Sequence, residues 1–281
     1  MILSTDSTSN LPQQMYGELG IKMIPMQIYL EGNIYDDLSP ELSNQFFYGK
    51  MRDGAVPKTA QINRQDATAY FENLLSFGED VLHVSFSTAL SGNTETMISV
   101  AEELNKTHKN KLVVFNSLNA SLGEGMLVLK AHDLMKQGKT INEIVAELET
   151  FKNYSCAFFT VEQLKYLVRG GRVTKLSGFI GSVLQIKPIL HVDNQGRLVA
   201  YKKVVGRKKS IAELASICAE KVTNKERIFI THAECVDEAN ELAKQINNRV
   251  GIIPIITPLT QVIACHTGPG LLAVFFEGKE K

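Results

Sequence analysis

Short apolar runs alternate with helical stretches in the first half of the chain. The runs "MILSTDS" (1–7), "IKMIPMQIYL" (21–30), "DVLHVSF" (80–86) and "KLVVFNS" (111–117) have the length and composition of β-strands, and each precedes a helix candidate. This alternation predicts βαβ units in a mostly parallel sheet with helices on both faces. An N-terminal α/β/α domain is therefore expected.

Several helix boundaries can be predicted from capping residues. Asn10 precedes Leu11-Pro12, and Ser39 precedes Pro40-Glu41, so both positions are typical of a helix N-terminus. Residues 121–152 predict two helices that are separated at "KQGKT" (136–140). Within that break Gly138 is the expected C-terminal cap and Thr140 the expected N-terminal cap.

The second half of the chain has a different pattern. Six strand candidates occur there: "SCAFFTV", "KPILHVD", "GRLVAYKKVV", "RIFITHA", "GIIPIIT" and "LLAVFFE". The turn "DNQG" (193–196) predicts a hairpin and hence antiparallel neighbours, and helices are expected at 209–222 and 236–248. We therefore predict a C-terminal two-layer α/β domain with a mixed sheet, with the domains at 1–155 and 156–281 and a shared cleft between them.

Composition excludes several classes of function. The 281 residues include 30 basic and 30 acidic residues without a long basic tract, which argues against a nucleic-acid partner. The N-terminus lacks a signal-peptide core and no apolar run reaches the roughly 18 residues of a membrane span, so no integral membrane association and a cytoplasmic location are expected. The four cysteines and six histidines show no metal-ligand spacing, so buried thiols and no metal are expected.

Hydroxyl-rich segments follow three of the predicted strands. They are Ser4 to Ser7, Ser85 to Ser91, and Asn116-Ser117. Ligands of open α/β sheets bind beyond the carboxyl ends of the strands, so the three segments could form one pocket. Each segment alone is also explained by capping of the next helix, whereas all three together favour a pocket.

Ser91 has two chemical interpretations. Gly92 permits a close backbone approach and the following amides open a helix, an arrangement that favours a carboxylate or phosphate ligand. A nucleophile elbow would have the pattern GxSxG, and Ala89-Leu90-Ser91-Gly92-Asn93 lacks its first glycine. The pattern therefore favours anion binding over a serine hydrolase.

Four other segments contain candidate side chains. They are the polar loop "VPKTAQIN" (56–63) with Thr59, "YLVRGGRVTK" (166–175) with Arg169 and Arg172, "VVGRKK" (204–209) with Arg207, and "HTGPG" (266–270) with His266. A turn, two solvated basic faces and a structural histidine would also account for them. None matches a nucleotide-binding loop, although a histidine before a rigid turn can be oriented accurately.

Taken in order, "STDSTSNLP", "PKTAQ", "SFSTALSGNTE", "LVRGGRV", "GRKK" and "HTGPG" resemble the DegV family of bacterial fatty-acid-binding proteins, the FakB type. The resemblance covers Ile2 to about Glu277. It implies the two-domain fold shared with the DegV and dihydroxyacetone-kinase superfamily, and a long-chain fatty acid such as palmitate, stearate or oleate buried between the domains. No cofactor is implied apart from this ligand.

The resemblance also implies which residues bind the fatty acid. The carboxyl group would be held by the threonine of the family's "KTSQ" loop and the serine of its "LSG" motif, here Thr59 and Ser91 with Gly92. His266 is the first candidate to add charge or to polarise the hydrogen-bond network, and Arg169, Arg172 and Arg207 are candidates for head-group or partner contacts. The family's "KTSQPS" is Lys58–Asn63 here, "KTAQIN", and "LSGTYQ" is Leu90–Glu95, "LSGNTE".

Three functions follow from these expectations. The first is a non-enzymatic carrier that presents the carboxyl group to a separate fatty-acid kinase, which makes an acyl phosphate for phospholipid synthesis. The second is an enzyme, either a serine esterase using Ser91 with His266 or an enzyme that processes a small hydroxyketone. The third is an interaction module whose basic stretches dock a protein.

Overall fold

The computed structural model describes residues 1–173 and 186–281. Its strands are β1 Ile2–Asp6, β2 Lys22–Ile24, β3 Gln27–Leu30, β4 Asn33–Asp36, β5 Lys58–Ala60, β6 Val81–Ser85, β7 Leu112–Asn116, β8 Ser155–Thr160, β9 Ile189–Val192, β10 Leu198–Lys202, β11 Val222–His232, β12 Ile255–Pro258 and β13 Leu272–Gly278. Its helices are α1 Gln13–Glu18, α2 Asn44–Arg52, α3 Arg64–Leu75, α4 Asn93–Leu104, α5 Leu122–Lys136, α6 Ile141–Phe151, α7 Leu164–Gly170, α8 Arg207–Lys221, α9 Val236–Val250 and α10 Gln261–Thr267, with a 3-10 turn at Ser7–Ser9.

The first half contains the predicted parallel sheet. Its strand order is β2-β1-β6-β7, and all three pairings are parallel. Strand β6 is buried along its whole length, as expected for a central strand covered on both faces. Since all four strands run in one direction, the segments after β1, β6 and β7 reach the same edge of the sheet.

The second half contains a six-stranded mixed sheet in the order β10-β9-β8-β13-β11-β12. The "DNQG" turn joins β9 and β10 as an antiparallel hairpin, which confirms that prediction, and Gly196 takes the positive φ of +74° that the turn requires. One face of the sheet packs on α8 and α9, and the other faces α5 of the first half. The chain is thus a two-domain α/β protein; the boundary near residue 155 stays a prediction.

A third sheet was not predicted from the sequence. It is small and antiparallel, with the order β4-β3-β5. The run "IKMIPMQIYL" is divided at Pro25, so β2 lies in the parallel sheet and β3 in the small one, and β4 rather than a helix follows. The prediction of a loop over 56–63 is wrong at Lys58–Ala60, because β5 pairs there with β3 and fixes Thr59 opposite Ile28.

The capping predictions have mixed outcomes. Thr140 forms a capping box with Glu143, and Gly138 has a left-handed φ of +76° just after α5, as predicted. The helix start predicted at Ser39 is wrong: its hydroxyl accepts from Glu41 N in a turn, and α2 is instead capped by Ser43. Asn10 is also not a helix N-cap, because its side chain donates to Pro258 O and accepts from Thr260 N.

Candidate functional site

A cavity lies where the carboxyl edge of the parallel sheet meets the second half. It encloses about 560 Å³ of empty space, which includes solvent at its opening. The first half contributes residues from five segments, namely Thr8, Met26, Thr59, Phe86 with Leu90 and Ser91, and Ala120. The second half contributes Arg172, Leu198 and four residues of α10, which are Val262, Ile263, His266 and Thr267. Four of the predicted site residues therefore line one cavity.

A second cavity of about 380 Å³ continues from the first. The two share Ala120, Leu198, Ile263 and Thr267 in their walls. The second cavity is lined mainly by apolar side chains on the inner face of the mixed sheet, including Phe159 and Phe275. We call the first the head cavity, because its wall includes the hydroxyl-bearing residues Thr59 and Ser91, and the second the tail cavity, because its wall is almost entirely apolar.

Thr59 and His266 meet in the head cavity although 207 residues separate them in the chain. The hydroxyl oxygen of Thr59 lies 2.8 Å from His266 Nε2. Strand β5 presents the threonine, and α10, which ends at the glycine turn after His266, presents the imidazole. The prediction of a structural role for this turn and the prediction of a site role for the histidine are therefore compatible.

Of the two roles expected for His266, adding charge or polarising the hydrogen-bond network, the structure favours the second. Burial, and to a smaller degree the nearby Arg172 guanidinium, lower the pKa of His266 to about 4. The imidazole is therefore neutral at pH 7, and it can orient or polarise a head group but does not supply a positive charge. Arg172 supplies one at the mouth, where Nε donates to Leu90 O at 3.3 Å.

The glycine pair of the "RGGR" stretch explains how His266 is packed. A Cβ built on Gly170, the last residue of α7, would lie 2.9 Å from His266 Nδ1. A side chain at this position would push the imidazole away from Thr59. The same stretch thus positions both the histidine and Arg172, whereas its last two predicted residues, Thr174 and Lys175, lie outside the described residues.

Ser91 lies just before the N-terminus of α4, where unpaired amides favour negative charge. Its hydroxyl oxygen accepts a hydrogen bond from Asn93 N at 3.2 Å, so its proton is available to a ligand. A Cβ on Gly92 would lie 2.7 Å from Gln61 Oε1, which explains the close approach that the sequence indicated. Gly92 therefore allows the loop after Thr59 to pack against the loop of Ser91.

Asn93 fixes the relative position of these two loops, a role that the sequence did not reveal. Its side-chain oxygen accepts from Ile62 N at 3.1 Å, and its side-chain nitrogen donates to Asp6 Oδ2 at 3.3 Å. It stands where the resembled "LSGTYQ" motif has threonine. One fully buried amide thus connects the end of β1 with the segments that follow β5 and β6.

The family of the chain follows from comparison with known proteins. A family model described as "Uncharacterised protein, DegV family" matches residues 2–279. The chain belongs to the DegV family.

Individual DegV relatives are similar over almost their whole length. A DegV domain-containing protein of Clostridium perfringens is 36% identical over 285 residues, which cover 100% of this chain and 98% of the relative. A fatty-acid-binding DegV family protein of Thermus thermophilus superposes with a TM-score of 0.86 at 31% identity and 98% coverage of both chains. A fatty-acid-binding DegV family protein of Streptococcus agalactiae gives 0.88 at 27% identity and 99% coverage of both.

Most other hydroxyls of the DegV "SFSTALSGNTE" stretch hold loops rather than face the head cavity. Ser87 donates to Gly196 O at 2.9 Å across the two halves, and Thr94 donates to Phe86 O. Asn116 similarly donates to Thr88 Oγ1 at 2.9 Å, and the cavities are lined by Ala120 and Ser121, which follow the predicted Asn116-Ser117 segment. Of the three predicted segments only Ser85 to Ser91 lines the head cavity, so the prediction that all three form one pocket is wrong for Ser4 to Ser7 and for Asn116-Ser117.

A buried carboxyl pair beside the head cavity was missed by the sequence analysis. The Thr8 hydroxyl contacts both Asp6 Oδ1 and Glu124 Oε2, the latter at 2.8 Å, and Thr5 donates to Glu124 Oε1 at 3.2 Å. Burial raises the pKa of both carboxyl groups, and the Asp6 charge raises that of Glu124 further. Because one hydroxyl proton serves two acceptors, a second proton shared by the pair would satisfy this contact.

Two of the three predicted arginines lie away from the head cavity. The guanidinium of Arg169 lies over the Tyr166 ring at 5.2 Å and is exposed. Arg207 donates to both carboxylate oxygens of Glu238 and to Gly270 O, and its side chain is only 13% exposed. Arg207 therefore holds α8, α9 and the glycine turn together, whereas Arg169 remains accessible to a partner.

The described ranges show neither a metal cluster nor a membrane-spanning helix. Within residues 1–173 and 186–281, no three His, Cys, Asp or Glu side chains are grouped as metal ligands would be. No helix in the same ranges is both long and apolar enough to cross a bilayer. Three of the cysteines are buried and Cys235 is half-buried, and all four are free thiols.

Proposed function

We propose that this DegV chain binds one long-chain fatty acid, with the carboxyl group in the head cavity and the acyl chain in the tail cavity. The observation that carries this proposal is the continuity of the two cavities through shared wall residues such as Ile263 and Leu198. The apolar lining of the tail cavity suits an alkyl chain, and the hydroxyls of the head cavity suit a carboxyl group. The Thermus thermophilus and Streptococcus agalactiae relatives are fatty-acid-binding proteins of the same fold.

Elementary energetics supports retention of the ligand. Burying an acyl chain of about 16 carbons at roughly 0.8 kcal/mol per methylene contributes on the order of 12 kcal/mol before ordering costs. The head group needs separate stabilisation, because a carboxylate removed from water must be hydrogen-bonded or paired. Thr59 and Ser91 offer hydroxyl donors, and Arg172 offers a positive charge at the mouth.

We further propose that the protein is a cytoplasmic carrier, not an enzyme, and that it presents the carboxyl group to a separate fatty-acid kinase. The kinase would make an acyl phosphate for phospholipid synthesis, as the family resemblance implies. The position of the head group at the cavity mouth, beside the exposed Arg172, suits transfer of a phosphoryl group from outside. The acyl chain could stay buried during that step.

A serine esterase using Ser91 and His266 receives less support from the geometry. The Nε2 atom of His266 is engaged by the Thr59 hydroxyl, and no described hydrogen bond joins the imidazole to Ser91 or to a carboxylate. Hydrolysis of a chromogenic acyl ester by delipidated protein tests this alternative. Activity that disappears in Ser91→Ala would favour the enzyme, and its absence in wild type would favour the carrier.

Native mass spectrometry of the freshly purified protein should show a mass excess equal to one fatty acid. The excess should disappear after denaturation, because the ligand is held without a covalent bond. A delipidated sample should regain it after addition of palmitate, stearate or oleate. A protein that is purified without ligand and also takes up none of the three acids would overturn the proposed function.

Replacing Arg169 by glutamine should slow transfer to the kinase while uptake of the fatty acid stays near the wild-type value. Arg169 is exposed and lies outside the head cavity, so its charge acts on a partner rather than on the ligand. The measurement is the rate of acyl phosphate formation by a purified fatty-acid kinase at several salt concentrations, alongside a binding titration. Arg172→Gln is the comparison variant, and it should impair both steps because Arg172 lines the mouth. A loss of fatty-acid uptake in Arg169→Gln as large as its loss of transfer would contradict this assignment.

A further inference from the structure

Two hydroxyl groups in the wall of the tail cavity have no hydrogen-bond partner among the described residues. They are Ser121 Oγ and Thr231 Oγ1. Both residues are buried, with exposed fractions of 5% for Ser121 and 0% for Thr231. A cavity suited only to a saturated alkyl chain would have apolar groups at these positions, since an unpaired buried hydroxyl is unfavourable.

Ser121 has an unusual backbone conformation, and its hydroxyl does not cap the helix that follows. The residue precedes α5, where a serine normally accepts from a helix amide, yet its side chain makes no capping bond. Its backbone has φ +53° and ψ −142°, a region that non-glycine residues rarely occupy. Such an outlier at a cavity wall, held in place by its surroundings, is typical of a functional position.

The surrounding turn holds Ser121 in this conformation. Asn119 Nδ2 donates to Ser155 O at 2.9 Å, and Ser155 Oγ donates to Gly123 O at 2.8 Å. Both bonds join the turn to the first residue of β8 in the mixed sheet. Residues on either side of Ser121 are therefore held by hydrogen bonds between the two halves.

Thr231 faces the cavity because of its register in the sheet. It pairs with Ala273 of β13, which also lines the tail cavity. Side chains alternate between the faces of a strand, so the neighbouring Ile230 and His232 face the opposite side. The threonine is thus a polar group on a mainly apolar face, beside its strand partner Thr257 of β12.

We propose that the tail cavity selects a fatty acid that carries a hydroxyl group within its chain. This rests on the proposed function, and it specifies the ligand of the same site. A hydroxyl on the ligand can donate and accept, so it can pair with Ser121 Oγ or with Thr231 Oγ1. A saturated acid leaves both protein hydroxyls unpaired. A hydroxy acid pairs at least one of them, and its own hydroxyl is then not left buried without a hydrogen-bond partner.

The experiment compares stearate with its 9-, 10- and 12-hydroxy derivatives as ligands of delipidated protein. We expect at least one hydroxystearate to bind wild type about tenfold more tightly than it binds Ser121→Ala or Thr231→Val, from the cost of an unpaired buried hydroxyl. Stearate should bind these two variants as tightly as wild type or more tightly, because they remove a polar group that it cannot pair. The opposite direction of the two effects separates a polar contact from a general defect of folding.

Thr160→Val is the matched control. Thr160 lies in the same sheet and is also fully buried with an unpartnered hydroxyl, but its partner Leu272 faces α8 and α9 instead of the cavity. This variant should leave the hydroxystearate preference unchanged. The hydroxyl subsite would be overturned by an equal loss of hydroxystearate affinity in all three variants, or by unchanged affinity for all three hydroxy acids in Ser121→Ala and Thr231→Val. It would also be overturned if oleate showed the same preference for wild type over these two variants as a hydroxystearate does. Failure of stearate itself to bind wild type would instead overturn the proposed function.

Discussion

Replacing Thr59 by valine is expected to weaken binding of a fatty acid by about ten- to a hundredfold. A hydrogen bond to a charged acceptor contributes roughly 1.5–3 kcal/mol, and valine keeps the shape of threonine while removing the hydroxyl. The same change leaves His266 Nε2 without its partner at 2.8 Å, so the imidazole loses its orientation as well. The measurement is a titration of delipidated protein with one labelled fatty acid, with folding checked by circular dichroism.

Ser91→Ala should have an effect of similar size, and the double variant should not equal the sum of the two. Both hydroxyls are expected to contact one carboxyl group, and residues that share a partner are not additive. A methyl ester of the same acid should bind wild type more weakly and should distinguish little between wild type and Ser91→Ala. Thr68→Val is a suitable control, because that exposed hydroxyl donates to Arg64 O on α3 outside the cavity. Folded Thr59→Val and Ser91→Ala variants that bind as tightly as wild type would remove both residues from the site.

Local sequence patterns predicted those elements whose formation depends on residues close together in the chain. The apolar run at 80–86 became β6, a central strand that is buried along its length, and the run at 111–117 became β7, the edge strand beside it. The "DNQG" hairpin and the Thr140 capping box were predictable for the same reason, since each is complete within a few residues. The small sheet was not predictable, because β5 has three residues and forms only through pairing with β3.

The candidate site was predictable in its residues but not in its arrangement. Thr59, Ser91 and His266 carry hydrogen-bonding groups that the motifs indicated, yet their contacts span the chain. The neutral state of His266 depends on burial and on Arg172, neither of which a sequence pattern contains. The unpaired hydroxyl of Ser121 was equally hidden, because a serine before a helix predicts a cap.

Replacing Gly268 by alanine is expected to lower the free energy of unfolding, because the change combines backbone strain with a steric overlap. Gly268 follows α10 with φ +72° and ψ 176°, a region almost restricted to glycine, and strain there costs about 1–3 kcal/mol. A Cβ would also lie 2.2 Å from Cδ2 of the Tyr166 ring, which is buried and cannot move aside without repacking. Strain and overlap together should cost about 3–5 kcal/mol, which lowers Tm by on the order of 10 °C for a chain of this size.

Gly251→Ala measures the cost of a positive φ at a glycine where an added Cβ would overlap no atom. Gly251 ends α9 with a comparable φ of +80°, but a Cβ there would meet no atom within 4 Å. The control should therefore lose only the roughly 1–2 kcal/mol of left-handed backbone strain, and it should bind fatty acid normally. Gly268→Ala should in addition bind more weakly at a temperature where it is still folded, since Gly268 fixes the end of the helix that presents His266 to Thr59. Thermal unfolding of the three proteins measures the difference, and equal Tm values for the two variants would show that the Tyr166 contact does not constrain the turn.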